Sequence, residues 1–225
     1  RARRKGISRH VPQRWALRMT VESDLRFLSH LDCVRAVERA AARAKVPLRF
    51  TQGFNPRPVL SLACARPVGL ATRDDLVVMT LDEPVEAETL RRRMNRCAPT
   101  GMRFDHPRPI RKSDKLRPLR MRYELELGDQ RRCAVASRLE ELNQADAWPA
   151  ERLRPPKRPR KPPRRLAIDL KELIDSIALE GPKLHWTTRA KGDLWPRVDE
   201  VLLLLGLTCP EVAADVVRTD MICDL

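Results

Sequence analysis

Residues 14–21 alternate, with Trp15, Leu17 and Met19 against Arg14, Arg18 and Thr20, and predict a strand with one buried face. A turn at Glu22-Ser23-Asp24 leads into a helix whose N-cap is Ser29, with Asp32 three residues on and Leu28 placed to pack on Cys33. Leu31, Val34, Val37, Ala41 and Ala44 recur at helical spacing and predict its buried face, with Arg35, Arg39 and Arg43 opposite. Pro47 ends that helix. Leu48–Thr51, Pro58–Cys64 and Asp75–Leu81 then read as strands, Glu86–Cys97 as a cationic helix and Met102–Phe104 as a short closing strand.

A second series follows Pro118. Met121, Tyr123, Leu125 and Leu127 alternate with Arg122, Glu124 and Glu126 as a strand, and residues 132–144 form a helix with Val135, Leu139 and Leu142 inward. Leu166–Leu170 and Lys183–Thr187 read as strands, Trp195–Leu207 as an apolar helix and Val216–Thr219 as a last strand. The order β-α-β-β-(β)-α-β in the first half, and a looser version in the second, predict an α+β protein of two ferredoxin-like or ferredoxin-related sandwich units in tandem. The domain boundaries read from the chain are a basic N-terminal tail at 1–13, a first domain at 14–106, a linker at 107–118 and a second domain at 119–225. The second domain carries a basic, proline-rich insertion at 151–165, where prolines remove donors and predict an extended arm with its cations facing water or a polyanion.

Charge turns this outline toward a class of partner. Lys and Arg outnumber Asp and Glu by 45 to 30, a net +15, which attracts polyanions such as RNA and ribosomal surfaces. The six cysteines have no C-x-x-C pair or metal-ligand spacing and read as reduced core residues of a cytoplasmic protein. Their scatter argues against a cluster bound by this chain, and no metal site is expected. No apolar stretch approaches a membrane span. The start at Arg1-Ala2-Arg3 reads as the beginning of a piece of a longer polypeptide.

Polar residues concentrate in two short segments. His30 opens the first helix, and Gly53 begins a loop in which Pro56 and Pro58 bracket Arg57. A residue before proline is held extended, so Asn55 and Arg57 lose less freedom on gripping a phosphate or carboxylate. If the loop folds over the helix start, Arg26, His30, Gln52, Asn55 and Arg57 line one cleft that also has free helix N–H groups. His30 falls on the apolar side of its helix and reads equally as a structural histidine, and Asp32 as a capping residue. Phe54 reads as a core plug, and an aromatic content of 4% gives little support for a base-stacking surface. Lys157, Arg158, Arg160, Lys161, Arg164 and Arg165 are the polyanion contacts of the arm.

The run Asp24-Leu25-Arg26-Phe27-Leu28-Ser29-His30-Leu31-Asp32, then Val46–Pro58, then Pro67-Val68-Gly69, resembles the radical SAM-linked protein family in content and order. The Ile168–Leu170 strand and residues 193–207 resemble its second half more loosely. The resemblance implies a partner, a cobalamin-binding radical SAM protein, either separate or fused, and leaves the reaction open. Cofactors would then reside in that partner, namely an iron–sulfur cluster and S-adenosylmethionine, with or without cobalamin. The leading expectation is an accessory RNA- or ribosome-directed binding module that presents substrate to the radical SAM enzyme and has no catalytic residue of its own. One alternative is a metal-independent endoribonuclease with His30 as general acid–base. Another is a structural ribosome-associated protein.

Overall fold

The computed structural model describes residues 11–114, 116–154, 163–207 and 210–224. The chain divides between Arg117 and Pro118 into two units, with Gly69–Ala71 belonging to the second. Both are α+β.

The first unit runs β1 (Gln13–Val21), a 3-10 turn (Ser23–Phe27), α1 (His30–Arg43), β2 (Leu60–Leu62), β3 (Ala71–Leu81), α2 (Ala87–Cys97) and β4 (Met102–Ile110). Its strands lie in the order β4-β1-β3-β2, each neighbour antiparallel. Trp15, Leu17 and Met19 of β1 join Val77 and Met79 of β3 beneath the helices, where they meet Val37, Ala40, Leu90 and Met94. Period-two burial on the strands and a helical stripe on α1 build this core. The stripe is Cys33, Ala36, Val37, Ala40, Ala41 and Ala44, and its small residues let α1 approach the sheet closely. Leu31, expected inside, is 65% exposed, and Val34 is half-buried. Both lie about a quarter turn or more to one side of the alanine stripe that packs on the sheet.

β4 continues through Pro107 and Pro109 to Ile110, beyond the three residues anticipated. Prolines fit there because β4 is the last strand on its side of this unit's order. His106 has φ +49 where the β1–β4 register shifts, so it occupies a bulge.

The second unit runs β5 (Pro118–Glu126), α3 (Asp129–Gln144), β6 (Pro149–Arg154), β7 (Arg164–Asp169), a 3-10 turn (Leu170–Glu172), β8 (Ile174–Glu180), β9 (Lys183–Arg189), α4 (Val198–Leu204), α5 (Pro210–Asp215) and β10 (Val217–Cys223). Its strand order is β10-β5-β9-β8, again antiparallel, while β6 and β7 pair as a separate hairpin. Counting main-sheet strands in sequence, the order fourth-first-third-second occurs in both units. β8 escaped the periodicity reading because a register shift between Ile174 and Ser176 breaks its alternation.

The arm needs correction at both ends. Arg152, Leu153 and Arg154 pair with Leu166, Arg165 and Arg164, so the flanks of the insertion are a β-ladder and not an extended polyproline segment. Lys157, Arg158, Arg160 and Lys161 lie outside the described residues. No helix among the described residues is long and apolar enough to cross a membrane.

Candidate recognition site

The turn into α1 is fixed from three directions. Ser29 is extended, and its Oγ accepts from the Asp32 backbone N–H (3.2 Å) while donating to Asp32 Oδ2 (2.7 Å). Arg35 Nη1 donates to Asp32 Oδ1 at 2.9 Å. The hydrogen bond from Ser29, and then that from Arg35, hold the Asp32 carboxyl below its usual range. Asp32 is therefore spent on the cap.

Before the turn, Glu22 N–H donates to Gly101 O at 2.8 Å. Gly101 has φ +86, and a Cβ there would sit 2.7 Å from Glu22 O, so this approach requires glycine. Beneath the turn lies Arg66. Its Nη1 and Nη2 donate to the carbonyls of Arg26 (2.8 Å) and Leu25 (3.4 Å), and its Nε stands 4.0 Å from Asp75 Oδ2. The two side chains are only 4% and 1% exposed, so the charge of Asp75 on β3 compensates a buried guanidinium that props the turn. Burial pushes the neighbouring Cys33 thiol up, with Arg66 opposing, which suits a packing residue more than a nucleophile.

On the outer side, the Arg26 guanidinium lies 5.0 Å from the centroid of the Phe27 ring, which is 52% exposed. His30 is half-buried, with Nδ1 enclosed and making no hydrogen bond among the described residues.

The second segment is a closed hairpin leaving the sheet edge. Arg49 N–H donates to Thr80 O, Val59 N–H to Arg49 O and Thr80 N–H to Val59 O, so Arg49 and Val59 form its neck. Phe50 pairs with Pro58, Thr51 N–H donates to Arg57 O at 2.8 Å, and Arg57 N–H donates to Thr51 Oγ1 at 3.0 Å. Gln52, Gly53, Phe54, Asn55, Pro56 and Arg57 are all exposed. Phe54, expected as a core plug, is fully exposed, and Phe50 is 48% exposed. Among the described residues the Arg57 guanidinium has no ion-pair partner.

Arg26 and His30 thus sit together at the helix start, and Gln52, Asn55 and Arg57 together on the hairpin. The hairpin leaves at Thr80, whereas the turn follows Val21, which pairs with Thr72 at the other end of β3. The two groups therefore stand toward opposite ends of β3. What they share is composition. Of four phenylalanines only Phe104 is in the core, and the other three lie exposed in these two segments, Phe27 beside Arg26, Phe50 beside Arg49 and Phe54 three residues before Arg57.

In the second unit, Arg164 is exposed on β7, and Arg165 Nη1 lies 3.1 Å from Glu151 Oε2. Arg152, read as part of a solvated arm, is buried: Nε and Nη2 donate to Glu200 Oε1 and Oε2, both at 2.7 Å, and Nη2 also donates to Trp195 O. Burial pushes the Glu200 carboxyl up, but the Arg152 hydrogen bonds and the Arg197 N–H together hold it below its usual range. The pairing spans 48 residues, so no local pattern exposes it. Arg66 did leave a signal, a lone cation in the run Cys64-Ala65-Arg66-Pro67-Val68, and Asp75 another at the head of an apolar strand.

Cys33 and Cys223 are buried as expected, Cys64 and Cys97 half-buried, and Cys133 is exposed on α3. Among the described residues no group of three or more His, Cys, Asp or Glu could hold a metal ion. No curated protein matches the chain. Residues 14–197, most of its 225, match one family over both units, and the chain belongs to that family, DUF2344, uncharacterized proteins conserved in bacteria.

Proposed function

We propose that the chain is an RNA-directed recognition module that acts beside a radical SAM enzyme in the cytoplasm and presents RNA, free or ribosomal, to it. The observation that carries this reading is the hairpin closed at its neck, with Phe54 fully exposed and Arg57 exposed between Pro56 and Pro58. An exposed ring offers a base a stacking platform, and a pre-extended arginine offers a phosphate a bidentate grip. The net +15 supports a polyanionic partner. Arg26 over Phe27 supplies a cation–aromatic pair on the same unit.

The fourth-first-third-second strand order supports reading both units as ferredoxin-like. The radical SAM partner rests on the resemblance of Asp24–Asp32 and Val46–Pro58, and the iron–sulfur cluster, S-adenosylmethionine and any cobalamin belong to that partner.

Binding of a labelled single-stranded RNA, followed by anisotropy at rising salt, tests the reading. Phe54→Ala and Arg57→Ala should each weaken binding about tenfold, within the ~1–3 kcal/mol attributed to a stacked base. His30→Ala should bind like the parent. Parental affinity in both hairpin variants sinks the proposal, and RNA cleavage that disappears in His30→Ala replaces it with a nuclease. Copurification of a radical SAM protein from native cells tests the partner separately.

A further inference from the structure

The neck of the hairpin opens onto a groove of about 980 Å³ at one end of the first sheet. Ile110, Arg14 and Thr80 stand side by side across β4, β1 and β3, and Val59 extends the row through its hydrogen bond with Thr80. Arg49 and Lys112 complete the part of the lining that bears on a ligand. Three cations line the groove and, among the described residues, no carboxylate does. Its size is that of a small-molecule or nucleotide site.

The cations differ in how they are engaged. Arg14 Nη1 donates to the carbonyls of Arg111 (3.0 Å), Lys112 (3.1 Å) and Asp114 (3.3 Å), and Arg111 N–H closes the same turn on Asp114 Oδ2 at 2.8 Å. Arg14 is thus a positioning residue that holds Lys112 at the rim. Arg49 Nη1 lies 3.8 Å from Asp82 Oδ1, with both side chains about half exposed. Such a loose, hydrated pair is readily exchanged for a phosphate. Between these cations the half-buried Val59 and Ile110 give an apolar floor.

Positive rim, apolar floor and absent carboxylates fit an anion that carries a flat apolar group. We infer that a nucleotide of the bound single-stranded RNA occupies this groove. Its flanking phosphates meet Arg49 and Lys112, its base lies over Val59 and Ile110, and the strand continues onto the hairpin at Phe54 and Arg57. The inference rests on the RNA reading above and names a second subsite for it.

The test uses a labelled oligouridine of about twelve nucleotides and the full chain. Arg49→Ala with Lys112→Ala should weaken binding at least about tenfold and make the salt dependence shallower by about 1.4 in log–log slope, two phosphates at ~0.7 each. Arg49→Lys with Lys112→Arg should restore most of both. With 4-thiouridine in the oligomer, photo-crosslinks should map to residues 49–59 and 109–112. Parental affinity and slope in the double alanine variant, while Phe54→Ala still loses binding, overturns the groove and leaves the hairpin reading standing. If the parent binds no RNA, both fall.

Discussion

Each unit buries an arginine against a carboxylate, and the two pairs hold different things in place. In the first, Arg66 and Asp75 prop the backbone of a turn that exposes Phe27 and carries the half-buried Arg26 and His30. In the second, Arg152 and Glu200 tie the inserted hairpin to α4. Their surroundings differ in the same sense. Phe27, Phe50 and Phe54 of the first unit are exposed, whereas Tyr123, Trp148 and Trp186 of the second are buried, Tyr123 stacked on Trp186 at 5.2 Å. Where the second unit exposes large apolar residues they are aliphatic, as at Leu153 and Leu203. Under the proposed RNA reading, the first unit, where the exposed aromatics fall, is the displaying one. The other packs Tyr123, Trp148 and Trp186 into its own core and leaves Trp195 half-buried.

Breaking the Arg152–Glu200 pair should have the largest effect on stability. Glu200→Ala leaves a buried guanidinium without its charge partner and should cost ~3–5 kcal/mol in thermal or denaturant unfolding. Arg152→Met with Glu200→Leu should cost much less, because no charge is then stranded. The pair also makes a pH prediction. The Glu200 carboxyl is held below its usual range in the folded chain, so its contribution is full above the unfolded carboxylate value of about 4.3. It is lost as pH falls through the lower folded value. The stability gap between the parent and Glu200→Gln should therefore be constant near neutrality and close below about pH 4. A gap that widens on acidification would overturn the assignment.

Arg66→Met should come next, at about 2–3 kcal/mol, since its partner is 4.0 Å away and the pair is looser. The comparison predicts a second difference. Arg66→Met removes the donors to Leu25 O and Arg26 O, so the turn should shift and RNA affinity should fall. Glu200→Ala, measured well below its melting temperature, should leave affinity unchanged. If both variants lose affinity to the same degree, the division into displaying and stabilising units is wrong.

Much of the framework was legible in the residues because it rests on local periodicity. β1, β3, β5 and α2 follow from alternation or helical spacing, and the Ser29 cap from a motif three residues long. What escaped was set by distant partners. Which stripe of α1 faces the sheet depends on the strands beneath it, so helical spacing alone places Leu31 inside although it is exposed. Arg152 groups by sequence with its proline-rich neighbours because Glu200 is far along the chain. The aromatic residues misled for another reason. Phe54 is apolar, and composition alone places such a residue in a core, whereas a closed neck and a glycine at φ +143 put it in solvent.

The helix starts offer the gentlest test of the same contrast. α1 is capped by Ser29, which satisfies the Asp32 N–H, while α3 begins after Gly128 with no side-chain cap. Ser29→Ala should cost about 1 kcal/mol, the usual loss for a serine cap. Gly128 has φ −68 and open space where a Cβ would point, so Gly128→Ser can be accommodated and should add a few tenths of a kcal/mol. The two changes are matched in chemistry but not in consequence. Ser29 also fixes Asp32 and the entry of the chain into His30, so its loss should loosen the recognition turn and lower RNA affinity about twofold or more. Gly128→Ser should raise the melting temperature and leave binding untouched. A Ser29→Ala variant that loses stability while keeping full affinity would show that the helix start is scaffold only and would leave recognition to the hairpin and its groove.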